Sequence, residues 1–382
     1  MLLPFLLLAV LLGQQREVPF EVDSLFDFRQ PLTLGLHPVE GAGTITIFSP
    51  GKNDSKYNHG VVVFPFKGML YAQWQTSAVD EDACDTHVMY SRSTDGKRWS
   101  TPKAMTTARE DGMTTSGGWW SDGDTLVAYL SVWPATGSGL KEGWTDYLTS
   151  IDGEHWERPK RVILRNGEHV PGIIEQDVHS SGSGRLITAF HVQPGLTATP
   201  FYTDDPLGIS GWIAGVMNHL PAASKRMSRE IEPSWFSRSD GALVMVFRDQ
   251  QSTFRQLASV SWDDGATWTT PQVVAMPDSR AKQCAGNLPD GSAYMVNNPS
   301  GSSVRFPLVI TLSRDGFLFD RAYLLRSGGK DLQPMRFKGV HKREGYSYPK
   351  SVVVGDYLYV SYATNKEDVE ITKIPVAQLM SR

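Results

Sequence analysis

Five aromatic residues recur along this chain at nearly constant spacing. Trp99, Trp156, Trp212, Trp268 and Phe319 are separated by 57, 56, 56 and 51 residues. Four of them close a shared short phrase: STDGKRW (93–99), SIDGEHW (150–156), WDDGATW (262–268) and SRDGFLF (313–319). The fifth closes a decayed copy, DPLGISGW (205–212). A period in the fifties is too long for an ankyrin or tetratricopeptide unit and matches one four-stranded blade of a β-propeller. The phrase itself suits a turn. Asp offers acceptors to nearby backbone N–H groups, Gly permits positive φ, and the aromatic packs back onto the blade. Its role is structural, and it carries no catalytic weight.

Between the phrases, strand-like runs repeat: GVVVFPF (60–66), MLYAQWQ (69–75), TLVAYLSVW (125–133), RLITAFHV (185–192), ALVMVFR (242–248) and YLYVSYA (357–363). They are short, rich in β-branched and aromatic residues, and bounded by Gly- and Asp-containing turns. No segment holds a 3.6-residue apolar period. The sequence therefore predicts an all-β fold, a six-bladed β-propeller. Its last blade joins strands within 350–375 to an N-terminal strand near TITIF (44–48), which removes the exposed sheet edges.

The 382 residues and 40% apolar content suffice for one large ring, read as a single domain over 17–382. A formal charge of −4 argues against a nucleic-acid surface. The opening run MLLPFLLLAVLLG has the length of a secretory h-region and is too short to span a bilayer as a helix. Residues 1–16 are accordingly read as a signal segment, with a monomer secreted or periplasmic and no membrane span once the segment is removed. Cys84 and Cys284 are assigned no bond. No HExxH, CxxC, GxSxG or Walker phrase occurs, so no metal or cofactor is expected.

In a four-stranded blade, the start of the first strand and the end of the second meet at one end of the channel, and the repeat phrases fall at the other. Polar residues gather at the first set of positions: Asn58, His59, Asp82, Glu175, Asp177, His179, Glu232, Arg248, Asn297, Arg305, Tyr346 and Tyr348. Charge at the end of an otherwise apolar strand is costly unless paired, so the cluster marks a candidate site. Glu175, Asp177 and His179 alternate along one strand, which directs all three into the channel. They read as polar wall for a substrate rather than as metal ligands.

The repeat phrase resembles the Asp-box of the sialidase (neuraminidase) superfamily, and the resemblance covers roughly residues 55–375. E-P-S-W-F-S-R-S-D-G-A-L-V-M-V-F-R (232–248) is similar to the family segment in which a Glu opens one strand and an Arg ends the next, giving Glu232 and Arg248. R-F-P-L-V-I-T-L-S-R-D-G (305–316) resembles the segment of a later arginine, Arg305. Y-S-Y-P-K-S-V-V-V-G (346–355) resembles the segment of the nucleophilic tyrosine, where spacing to the turn favours Tyr346 over Tyr348. D-A-C-D-T-H-V-M-Y-S-R-S (82–93) resembles the acid/base loop, with Asp82 as the aligned carboxylate. Where the family places its first arginine the chain reads Y-N-H-G (57–60), so Asn58 or His59 stands there, and Arg29 in F-R-Q-P lies about thirty residues too early.

What the resemblance implies is a retaining exo-glycosidase that releases a terminal acidic sugar, a sialic or related ulosonic or uronic acid. Arg248 and Arg305 would grip the carboxylate. Glu232 would take the proton of a nucleophilic Tyr346, and Asp82 would act as acid and then base. Asn58, His59, Glu175, Asp177, His179, Tyr348 and Asn297 would bind substrate. Two other readings stay open. His59 with a Tyr and an Arg could run β-elimination on a uronate, or Trp119, Trp133 and Tyr362 could stack sugars in a non-catalytic lectin.

Overall fold

Short Val-, Leu- and Tyr-rich runs with Gly-containing turns between them can satisfy their backbone groups only by pairing with the next run, and the chain does this six times. The computed structural model describes residues 18–135, 142–193, 195–224 and 227–380. The predicted signal segment lies outside the described residues. Six antiparallel blades follow one another round a ring. Their innermost strands are Tyr57–Phe66, Gly112–Ser121, Gly172–Ile174, Glu230–Ser237, Cys284–Asn287 and Tyr346–Val354. Blade six closes as expected: Gly43–Phe48 pairs antiparallel with Asp368–Pro375, so the outermost strand of the last blade comes from near the N-terminus. The segment before it also staples the ring. Glu21–Val22 pairs in parallel with Leu318–Phe319, and Phe20 packs edge-on against Phe319 with centroids 5.2 Å apart.

The core is divided among the blade interfaces. Each pair of neighbouring blades sandwiches one buried apolar cluster, such as Trp119, Tyr71 and Leu148 between blades one and two, or Tyr346, Tyr362 and Leu308 between five and six. The repeat phrases serve these interfaces. Ser93 Oγ accepts from the Gly96 N–H at 2.9 Å, while Asp95 Oδ1 accepts from the N–H groups of Lys97 and Arg98 at 2.8 Å each. Ser150 and Asp152 repeat the arrangement, as do Ser313 and Asp315. In blade four the phrase starts one residue earlier than its alignment suggests. Ser261 and Asp263 fill these roles, and Trp262 faces solvent. The decayed copy keeps the logic through Asp205, which accepts from Leu207, Ile209 and Ser210. Trp212, Trp268 and Phe319 are buried, as the packing reading requires.

What most affects the site is a bulge repeated near the channel end of the innermost strands. Pairing slips between His59 and Val62, between Ser116 and Trp119, between Ile231 and Ser234, and between Ser347 and Lys350. A bulge kinks its strand and re-aims one side chain. In blades one and two the bulges hold glycines, Gly60 at φ 63 and Gly118 at φ 88. In blades four and six they hold Glu232 at φ 54 and Tyr348 at φ 58, each followed by a proline. A side chain held in the left-handed region costs of order 1–3 kcal/mol, and such strain collects at functional sites.

Candidate active site

The bulges converge on a cavity of about 340 Å3 at one mouth of the channel. Its floor is built by Tyr348, Glu232 and Arg248. Arg248 Nη1 donates to Glu232 Oε2 at 2.9 Å and to the Tyr348 hydroxyl at 3.1 Å, and that hydroxyl also hydrogen-bonds the Glu232 carboxylate. Burial pushes the Glu232 carboxyl up, but Arg248 and Lys282 outweigh it and hold the group down at about 2. Burial, reinforced by the Glu232 charge, drives the Tyr348 phenol well above its ordinary range. At neutral pH the proton therefore rests on the tyrosine. Arg248 makes both of these bonds through Nη1, so Nη2 of its fork of donors remains open.

Lys282 lies beneath the tyrosine, 5.1 Å from the ring centroid, and donates to Glu175 at 2.6 Å and to Gln176 Oε1 at 3.1 Å. Arg305 backs the same ring at 5.5 Å, with its Nη1 on Ser347 Oγ at 3.0 Å. It sits behind Tyr348 and is not part of the cavity wall. On the other side His59 rests against Tyr348 with ring centroids 4.3 Å apart. It is 1% exposed, neither ring nitrogen has a hydrogen-bond partner, and burial with Lys366, Arg305 and Lys282 nearby holds its pKa well below the ordinary value. This is a neutral imidazole with a free donor and a free acceptor. His191 is likewise buried and pushed down; its Nε2 accepts from the Glu232 N–H at 3.0 Å, bracing the bulge.

The rim comes from blade one. Asp82 is exposed and lines the cavity beside Glu81, on a loop pinned at two points. Asp80 accepts from the His341 N–H, and Glu81 pairs with Lys366 at 2.5 Å. Opposite stand Trp133, Met113 and Met227. Glu175 is offset by Lys282 and Lys350, and Glu81 by Lys366. Arg305 meets no carboxylate among the described residues, so a positive charge lies behind the floor.

Several expected site residues sit elsewhere. Tyr346 is fully buried between blades five and six; its hydroxyl donates to the Ser327 carbonyl at 2.8 Å and Arg326 covers its ring. Tyr348, two residues on, is the tyrosine in the cavity, because the bulge turns it there. Asn58 is consumed by structure: it donates to the Glu367 carbonyl and accepts from Trp74 and Thr76. Asn297 likewise donates to the Pro277 carbonyl at 2.8 Å. Asp177 and His179 pair with each other at 2.7 Å but line the opposite mouth, because the strand breaks after Ile174 and Gln176 intervenes. Trp119 lines that mouth too, Tyr362 is core, and Arg29 is on the surface with Asp27. Lys282, Gln176 and Glu81 were not anticipated. One signal was available for the tyrosine: Tyr348-Pro349 repeats the Glu232-Pro233 pattern of blade four. Among the described residues no group of three His, Cys, Asp or Glu side chains is arranged to hold a metal, and no helix is long and apolar enough to cross a membrane.

The BNR repeat-like domain model matches residues 68–360. No curated protein sequence matches the chain. Among solved structures, one described as a sialidase superposes with a TM-score of 0.65 at 20% identity, covering 94% of this chain and 35% of that one. The chain thus spans about a third of that sialidase. A protein of unknown function from Dyadobacter fermentans gives 0.65 at 16% identity, covering 88% of this chain and 99% of its own. Trypanosoma rangeli sialidase in complex with sialic acid gives 0.60 at 13%, covering 90% of this chain and 60% of its own. At such identities the likeness is one of fold.

Proposed function

This chain belongs to the BNR repeat-like domain family, and on that premise we propose that it is a sialidase-type glycoside hydrolase, exo-acting and retaining, that removes a terminal acidic sugar. The observation that carries this reading is the hydrogen-bonded set of Tyr348, Glu232 and Arg248 on the cavity floor. In it Tyr348, rather than Tyr346, is the nucleophile. A phenol attacking beside a substrate carboxylate avoids the repulsion a carboxylate nucleophile would meet. Glu232 receives its proton. In the resting site Glu232 is too acidic for that task, and the substrate supplies the remedy. A carboxylate on the open donors of Arg248 offsets the cation that holds Glu232 down, so its proton affinity rises as substrate binds. Lys282 adds a donor directed at the same space, since only two of its ammonium protons are used within the protein. Asp82, exposed on the rim, protonates the leaving oxygen and then activates water. Secretion, resting on the apolar 1–16 segment, belongs to the same proposal.

Acidic glycosides with sialic, other ulosonic and uronic acids, assayed in parallel, test it. Hydrolysis with retained anomeric configuration, lost in Tyr348→Phe and in Asp82→Ala, is the expected outcome. Wild-type turnover by either variant would remove the assignment.

A second reading rests on His59. A neutral imidazole whose acceptor nitrogen has no partner, packed on a tyrosine, can take a proton once a bound carboxylate offsets the cations that hold its pKa down. Here His59 would take the proton α to a uronate carboxylate, the C–H electrons would form a C=C bond, and the departing glycosidic oxygen would take a proton from Tyr348. The unsaturated product absorbs in the ultraviolet and a hydrolysis product does not, so one spectrum on a uronate polymer separates the readings.

A further inference from the structure

The channel has a second mouth. On the opposite side of Gln176 lies a cavity of about 410 Å3, walled by Phe64, Trp120, Asp177, Tyr294, Lys350 and Val352 among others. Gln176 lines both cavities and forms the partition: its Nε2 donates to the carbonyls of Gly60 and Ser116 at 2.9 Å each, and its Oε1 accepts from Lys282. Two buried charges below it lack full sets of hydrogen bonds. The Lys350 ammonium, on a side chain 2% exposed, stands 3.4 Å from Glu175 and 3.7 Å from Asp177 Oδ2, at or past the range of a sound hydrogen bond, and no other acceptor reaches it. Asp177 Oδ2, on a side chain 5% exposed, accepts from no hydrogen-bond donor, while Oδ1 is taken by His179. A buried polar atom left unsatisfied costs of order 1–3 kcal/mol.

Lys350 and Asp177 Oδ2 are ion-paired across 3.7 Å without a well-formed hydrogen bond between them, a gap that a ligand with one acceptor and one donor a few ångströms apart would bridge. Two neighbouring hydroxyls meet that demand. The charges of Lys350 and Asp177 oppose one another, so a net anion or cation gains no advantage. Phe64, Trp120 and Val352 offer apolar wall for the C–H face of a ring, the mixture of apolar lining and few polar groups typical of small-molecule sites. We propose that the lower mouth is a binding site for a neutral polyhydroxylated ligand, a sugar ring or polyol that places a vicinal diol across Lys350 and Asp177. The proposal stands independently of the glycosidase reading, which concerns the other mouth.

The test is titration of the full chain with methyl β-galactopyranoside, followed by saturation-transfer NMR and calorimetry. Cyclohexanol serves as a control without a diol and methyl glucuronide as an anionic one. Saturable binding, with Kd on the order of millimolar, is expected for the neutral glycoside and at least about tenfold weaker binding for both controls. Trp120→Ala should weaken it about tenfold or more. Ser180→Trp, at an exposed position on the rim, should abolish it without disturbing the core. Tyr348→Phe, in the upper cavity, should leave it unchanged. Absence of saturable binding, equal binding of the glucuronide, or binding that survives Ser180→Trp and vanishes in Tyr348→Phe would each overturn the proposal.

Discussion

Replacing Glu232 by Gln probes the electrostatic frame of the upper cavity. Glu232 and Arg248 are 15% and 13% exposed in their side chains, so solvent screens their interaction little. The Glu232 carboxyl lies at about 2 against an ordinary 4.5. At about 1.4 kcal/mol per pH unit, that gap corresponds to about 3 kcal/mol of folding stability. Because the folded protein favours the ionised form, this stability is fully present above about pH 4.5 and is lost as pH falls towards 2. Other carboxylates titrate in the same range, Asp177 at about 2 among them. Wild-type acid denaturation alone therefore does not isolate Glu232, but the difference from Glu232→Gln does. Urea unfolding of both proteins, followed by tryptophan fluorescence from pH 6 down to pH 2, should show the wild type losing about 3 kcal/mol relative to the variant. Parallel stability curves across that window would refute the argument that Arg248 and Lys282 dominate the burial of this carboxyl. The same variant should lose about a hundredfold or more in turnover on an acidic glycoside, since the acceptor for the tyrosine proton is gone.

Tyr348→Phe should abolish turnover, whereas Tyr346→Phe should keep kcat and lose about 1–2 kcal/mol in urea unfolding, because the Ser327 carbonyl is left without its donor; the reverse pattern would return the nucleophile to Tyr346. Burial raises the carboxyl of Asp278 to about 6 from 3.8. The folded state thus holds a proton that the unfolded state releases, and stability should fall by about 3 kcal/mol as pH rises from 3 to 7. Asp278→Asn should flatten that decline, and an undiminished slope in the variant would count against it. Asp152→Ala removes the acceptor for the Glu154 and His155 N–H groups. It should cost about 1–2 kcal/mol in thermal or urea unfolding and leave KM untouched, because no repeat-phrase residue lines the upper cavity.

The fold was legible because its signals are local. Each repeat phrase satisfies its own backbone within three or four residues, so spacing along the chain already states the turn, and recurrence of the turn states the blade. Closure by residues 43–48 was legible for a related reason, since a ring with one strand missing leaves an open edge. Glu232, Arg248 and Asp82 were expected at one mouth, and they do line one cavity, because strand direction fixes which ends meet. The choice between Tyr346 and Tyr348 was not available by the same route. The two lie two residues apart on one strand, and regular alternation sends both to one face; the bulge between Ser347 and Lys350 is what parts them, turning one to the cavity and leaving the other in the core. The misplacement of Asp177 and His179 has the same origin, a strand broken after Ile174. Lys282 and Gln176 escaped notice because their importance lies in contacts with chain more than a hundred residues distant, which no local pattern encodes. The sequence by itself determined the repeat, the number of blades and the mouth of the channel. Tertiary structure alone decided which side chains enter the cavity, because a one-residue slip in pairing reverses the direction of a β side chain and depends on the neighbouring strand.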